Sequence, residues 1–81
     1  MTRISVAARQ NRSTKALGKV IRSKRLEQQL SQEAFADLVG LDRSYVGGIE
    51  RGEHNISIHN LLKIAAGLNT SLTKLFSEAK L

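Results

Sequence analysis

Apolar positions along this chain recur in short groups at helical spacing, with polar and glycine residues between the groups. Leu17, Val20, Ile21 and Leu26 fall on one face of a first helix, capped by Ser13 or Thr14 and ending near Gln29. Phe35, Leu38 and Val39, with Ala34 and Ala36 allowing close approach, predict a second helix that begins after Ser31. The Ser31 hydroxyl suits an N-cap, and Glu33 in the first turn complements the helix dipole. Gly40 then stops that helix in the left-handed conformation glycine adopts without strain, and Leu41 plugs the turn. Asp42 caps a third helix from Arg43 to Glu50, with Val46 and Ile49 buried. After a loop at residues 51–55, Ser57 caps a fourth helix from Ile58 to Gly67 whose apolar stripe is Leu61, Ile64, Ala65 and Leu68. Asn69 suits a second left-handed stop, and Ser71 caps a last helix from Leu72 to about Glu78. Five helices and no convincing strand predict an all-α, compact five-helix bundle. Residues 1–12 show no sustained period and read as a flexible N-terminal arm, which leaves 13–81 as the folded domain.

Charge changes the picture. The chain has 81 residues, 13 Lys+Arg and 7 Asp+Glu, a net charge of +6. Arg3, Arg9, Arg12, Lys15, Lys19, Arg22, Lys24 and Arg25 all precede Glu27, the first acidic residue. A small basic domain of this kind attracts a polyanion, and nucleic acid is the usual one. With no cysteine, neither a disulfide framework nor a Cys-ligated zinc supports the fold. His54 and His59 have no partner at ligand spacing, so no metal or cofactor is expected. The serines lack a convergent His–Asp pair and no glycine-rich phosphate loop is present, which argues against an enzyme. No apolar run is long enough to span a membrane, and the start lacks a secretory signal, so a cytoplasmic protein with no small-molecule ligand is the expectation.

Residues 31–52 carry the most specific signal: a short helix, a turn at Gly40-Leu41 and a second short helix running into Arg51-Gly52. That is the helix-turn-helix layout, which holds one helix on a scaffold so that it enters the DNA major groove. Together with Leu17-Gly18-Lys19-Val20-Ile21-Arg22, Ser31-Gln32-Glu33, Val39-Gly40-Leu41, Ile49-Glu50-Arg51-Gly52 and Leu61-Leu62-Lys63-Ile64-Ala65, it resembles the XRE, or Cro/C1-type, family of bacterial and phage regulators. Within that family, the stretch from Leu41 to Glu53 looks most like the controller proteins of restriction–modification systems. Ile56 stands where family members often carry proline. The resemblance implies a lambda-repressor-like DNA-binding fold.

Arg43 and Ser44 lie in the first turn of the third helix, the part that reaches base edges on docking. An arginine there can donate two hydrogen bonds to guanine, worth about 1–3 kcal/mol of discrimination. Tyr45 either contacts DNA, as the resemblance implies, or packs against the domain. Gly47-Gly48 inside a helix costs about 1 kcal/mol per glycine relative to alanine. Close approach to bases is one account of the pair and tolerated flexibility the other. Gln32, at the start of the second helix, is placed to grip a phosphate. Arg51, His54, Asn55 and Ser57 are the expected phosphate contacts beyond the third helix. The resemblance further implies a structural ion pair between Arg25 and Glu50.

Leu68, Leu72, Leu75 and Phe76 form an apolar C-terminal segment that either closes the core or presents a two-fold dimer face, as the family does. The leading expectation is a homodimeric, sequence-specific transcriptional regulator on an inverted-repeat operator in double-stranded DNA, controlling a restriction–modification operon. The alternative is an antitoxin-type or phage-type repressor that also binds a protein partner.

Overall fold

The computed structural model describes residues 4–81, and among them are five helices and no strand. They are α1 (Val6–Glu27), α2 (Gln32–Val39), α3 (Arg43–Glu50), α4 (Ile58–Gly67) and α5 (Leu72–Glu78). Four of the starts are capped as the sequence predicts. Ser31, Ser57 and Ser71 accept the backbone N–H of Ala34, Asn60 and Lys74 at 3.0, 3.1 and 3.1 Å, and Asp42 accepts that of Ser44 at 3.1 Å. Each cap satisfies a helix-end donor that would otherwise lack a partner, a contribution of about 1 kcal/mol. Gly40 and Asn69 take the left-handed conformation, at φ 72° and 54°. So does Gln29 at φ 59°, after α1 has ended two residues earlier than its last polar turn suggests.

Three expectations are corrected. First, α1 begins at Val6 rather than Ser13, because Ser5 caps it by accepting the Ala8 N–H at 3.1 Å. The arm assigned to residues 1–12 is therefore helical from Val6, while its Arg3 lies outside the described residues. Val6-Ala7-Ala8-Arg9-Gln10-Asn11-Arg12 contains no Gly or Pro and several strong helix formers. It lacks an apolar stripe because the core does not reach it. Second, Leu26 and Leu38 point to solvent, at 50% and 60% exposure. Arg25 takes the inward position one residue before Leu26, and Ala36 serves α2 in place of Leu38. Third, Leu68 and Leu75 are buried in the protomer's own core, at 4% and 0% exposure, so neither can face a partner. Only Leu72 and Phe76 of that set remain partly accessible.

Phe35, Ile21, Ile64, Leu75 and Val46 are the largest fully buried side chains, one from each helix. The helices pack as a ring of neighbours: α3 rests on α1 and α2, α4 on α2 and α5, and α5 closes back on α1. Burial of each such side chain contributes about 1.5–3 kcal/mol. Close contacts set the spacing. Gly18 of α1 lies against the end of α3, where an added Cβ would come within 2.6 Å of the Glu50 carbonyl oxygen and 2.9 Å of its carbonyl carbon. These are backbone atoms and cannot swing aside.

Gly18→Ala consequently destabilises the domain by about 1–3 kcal/mol, the usual cost of overpacking, although alanine is the better helix former. The midpoint of urea unfolding measures it, and an unchanged midpoint would refute the close approach of α1 to α3.

Candidate nucleic-acid interface

A cleft of about 250 Å³ opens at the junction of α2 and α3, lined by Gln32, Arg43, Ser44, Gly47 and Arg51. It thus brings together three of the expected base-reading residues and two of the expected phosphate contacts. Arg43 and Ser44 are exposed at the first turn of α3, where the Asp42 cap holds the backbone in register. Gly47 forms part of the floor: an added Cβ would lie 3.1 Å from Arg51 Nη1 and 3.5 Å from Gln32 Oε1.

Behind the cleft lies a buried polar network. Arg25 Nε and Nη2 donate to Glu50 Oε2 and Oε1 at 2.7 and 3.0 Å, a bidentate pair in which the two side chains are 6% and 1% exposed. The remaining guanidinium nitrogen, Nη1, donates to the Leu30 carbonyl at 2.7 Å, across the α1–α2 turn. Gln32 Nε2 donates to Glu50 Oε1 at 3.1 Å. A carboxylate only accepts, so the Gln32 amide must turn its NH₂ inward. Its carbonyl oxygen is then left on the cleft side. One carboxylate therefore ties α1 to the end of α3 and orients the first side chain of α2.

The other expected site residues sit elsewhere. Gly48 is buried and faces the His54 ring, which occupies the space a Cβ would need. It makes room for His54 and offers no surface to a base edge. Tyr45 is half-buried, its ring 5.2 Å from that of His54 at 47°, and its hydroxyl accepts from Asn60 Nδ2 at 3.2 Å. The Tyr45 hydroxyl proton is still free to donate, so packing and DNA contact are compatible at this residue. Ser57 commits its hydroxyl oxygen to the α4 cap. Asn55 is drawn away from the cleft into a separate groove, shared with Val6, Arg9, Gln10, Ser13, Thr14 and Ile56.

Glu53 is a residue that the sequence reading did not single out. It pairs with Arg51 in a second bidentate contact, Nε to Oε2 at 3.0 Å and Nη2 to Oε1 at 3.1 Å, on the open surface. The hydrogen bonds from Arg51 hold the Glu53 carboxyl below the ordinary carboxylate range and raise Arg51 in turn. A depressed carboxyl pKa contributes stability at neutral pH that is lost as pH falls through the folded value. Exposure of both groups to solvent keeps that contribution small. An acid two residues beyond a loop arginine was the signal available in the sequence.

Among the described residues no group of three or more His, Cys, Asp or Glu could hold a metal ion, and no helix is long and apolar enough to cross a membrane.

Comparison with known proteins fits this geometry. A family model described as Helix-turn-helix matches residues 21–75. The chain belongs to the helix-turn-helix family. It is 53% identical over 49 residues to the control protein C.MunI of Mycoplasma sp, a match covering 60% of this chain and 66% of that protein, just under two thirds of its length. The solved structure of the restriction–modification controller protein C.AhdI from Aeromonas hydrophila aligns with a TM-score of 0.76 and 48% identity over 78% of this chain and 96% of that one. The controller protein C.Esp1396I, solved as a tetramer with its natural 35 base-pair operator, aligns with the same TM-score of 0.76 at 35% identity, covering 84% of this chain and 90% of that one.

The Arg25–Glu50 pair yields a stability prediction. Arg25→Ala strands a buried carboxylate and lowers unfolding free energy by about 3–5 kcal/mol, whereas Arg25→Met with Glu50→Leu is close to neutral. Chemical denaturation of the three proteins checks this, and equal losses in the single and double variants would contradict it.

Proposed function

We propose that this helix-turn-helix protein is a sequence-specific transcriptional regulator, the controller of a restriction–modification operon. As a homodimer it binds an inverted repeat, with one α3 in the major groove of each half-site about 34 Å apart. The observation that carries this reading is the cleft, in which exposed Arg43 and Ser44 stand beside Gln32 and Arg51. Base-edge donors and phosphate-facing groups then act from one rigid frame, as readout requires. Its resemblance to C.MunI and C.AhdI supports the operon, and the C.Esp1396I–operator complex supports oligomeric binding to DNA.

Arg43 reads a base, Ser44 a base or phosphate, and Tyr45 a phosphate through its free hydroxyl proton. Gln32, through its backbone N–H in the first turn of α2, and Arg51 and His54, through their side chains, hold the backbone on either side. Self-association uses Leu72 and Phe76 of α5, half-buried and spaced one turn apart, with Leu62 of α4 exposed at 53%. The protein is a binder, not an enzyme, and it acts in the cytoplasm on its own promoter. Occupancy follows protein concentration through dimerisation, so no small-molecule effector is needed.

Arg43→Ala tests the assignment, since it leaves the Asp42 cap and the core untouched. Duplexes selected by this variant from a random pool lose preference at one position per half-site, by about 1–3 kcal/mol, or roughly 5- to 150-fold. Circular dichroism stays as in the parent. An unchanged selected sequence would remove Arg43 from the reading surface.

A further inference from the structure

We propose that Arg12, Lys15, Lys19 and Arg22 form a second DNA-contacting surface, a cationic stripe on α1 that follows the sugar–phosphate backbone flanking the half-site. The proposal rests on the reading of α3 as the recognition helix and extends its footprint outward.

The four residues recur at i, i+3, i+7 and i+10, which places them along one helical face. All four are exposed, and among the described residues none pairs with a carboxylate. Like charges at these spacings repel, each by a few tenths of a kcal/mol. A merely solvated face would relieve that repulsion by mixing signs, yet no acidic residue precedes Glu27. The stripe spans about 15 Å along the helix axis, roughly four base steps at 3.4 Å each.

Its position gives the charge a direction. Lys15 packs against Gly52 so tightly that a Cβ on the glycine would lie 2.7 Å from both Lys15 Cα and Cγ. Gly52 follows Arg51, which lines the cleft. Thr14 Oγ1 sits at the same junction, its one proton shared between the Asn11 carbonyl at 3.1 Å and the Gly52 carbonyl at 3.3 Å. The stripe is therefore continuous with the cleft across one residue, and from there it runs along the outer side of α1, with Arg12 at its end nearest the N-terminal turns. α1 is about 33 Å long in a molecule 45 × 23 × 21 Å across. A lipid surface is a poorer match, because the apolar face of α1, Leu17 and Ile21, is buried in the core. Three of the four cations precede residue 21, where the match to the family begins.

The test uses the duplex that the full chain selects from a random pool, prepared with about one helical turn (~10 bp) of flanking DNA on each side and without it. The variant carries Arg12→Gln, Lys15→Gln, Lys19→Gln and Arg22→Gln, with melting temperature as the control for folding. On the flanked duplex the slope of log K against log salt should fall by about 0.9 for each lost phosphate contact. On the trimmed duplex parent and variant should bind alike. Equal slopes on the flanked duplex overturn the proposal, as does an equal loss on both duplexes, which would put the stripe on the half-site itself. In each of those cases preserved preference for the selected duplex leaves the recognition-helix reading standing. Failure of the parent to prefer any duplex overturns both. If the fourfold variant does not fold, Arg12→Gln and Lys19→Gln singly should each lower the slope by about 0.9, and no change in either overturns the stripe.

Discussion

A single buried carboxylate sets the geometry of the cleft side of this domain. Glu50 is held by two hydrogen bonds from Arg25 and one from Gln32. Those three residues come from the ends of α3, α1 and α2. Burying an ion pair gains little net stability over apolar packing, because the desolvation cost nearly cancels the attraction. What the pair supplies is direction. An apolar contact in its place would tolerate rotation of α3 about its axis, whereas a bidentate guanidinium–carboxylate contact fixes both distance and plane. Gln32 is then oriented by the same carboxylate, so the wall of the cleft and the helix beside it cannot move independently. Gly18 completes the constraint on the apolar side by admitting the α3 backbone against α1.

The helices of this fold could be read from the sequence because their signals are local. Ser31, Asp42, Ser57 and Ser71 cap where an oxygen must meet a free N–H within three residues, and Gly40 and Asn69 stop helices where the chain must turn left-handed. Leu61, Ile64, Ala65 and Leu68 repeat at the helical period, and all four are buried. The same period misplaced Leu26 and Leu38, because an apolar residue at the edge of a stripe looks like one at its centre. At α1 the inward position belongs to Arg25, and an arginine buries there only because Glu50, distant in sequence, neutralises it and the nearby Leu30 carbonyl accepts its remaining N–H. The first turns of α1 were missed for the opposite reason. They are helical by propensity and a cap, with no core contact to impose a period.

The site was legible in its positions and less so in its orientations. Arg43, Ser44, Gln32 and Arg51 converge on one cleft, which their order in the chain foreshadows. Gly48 turns the other way because successive helical residues are 100° apart, and one of two adjacent glycines must leave the face its neighbour occupies. What fills the vacated space is His54, a residue of the following loop, and nothing local in the sequence specifies that contact. The C-terminal leucines carry the same lesson. Leu68 and Leu75 are consumed in closing the five helices into one core, so only Leu72 and Phe76 stay partly at the surface.

Two arginine–carboxylate pairs of the same bidentate form bracket the end of α3, and their surroundings give them opposite behaviour. Arg25–Glu50 is shut away from water, so neither partner can leave without stranding a charge in the interior. Arg51–Glu53 is open, with side chains 60% and 56% exposed, where solvent and salt screen the attraction. On the proposed reading, a backbone phosphate offers Arg51 the same two-oxygen geometry and the same single negative charge that Glu53 does. Exchanging carboxylate for phosphate would therefore cost Arg51 little, and Glu53 keeps the guanidinium spread in plane beside the cleft. The helix end is thereby fixed from inside and remains exchangeable outside, which suits the proposed binding surface because its frame holds without a partner while Arg51 stays able to change its own.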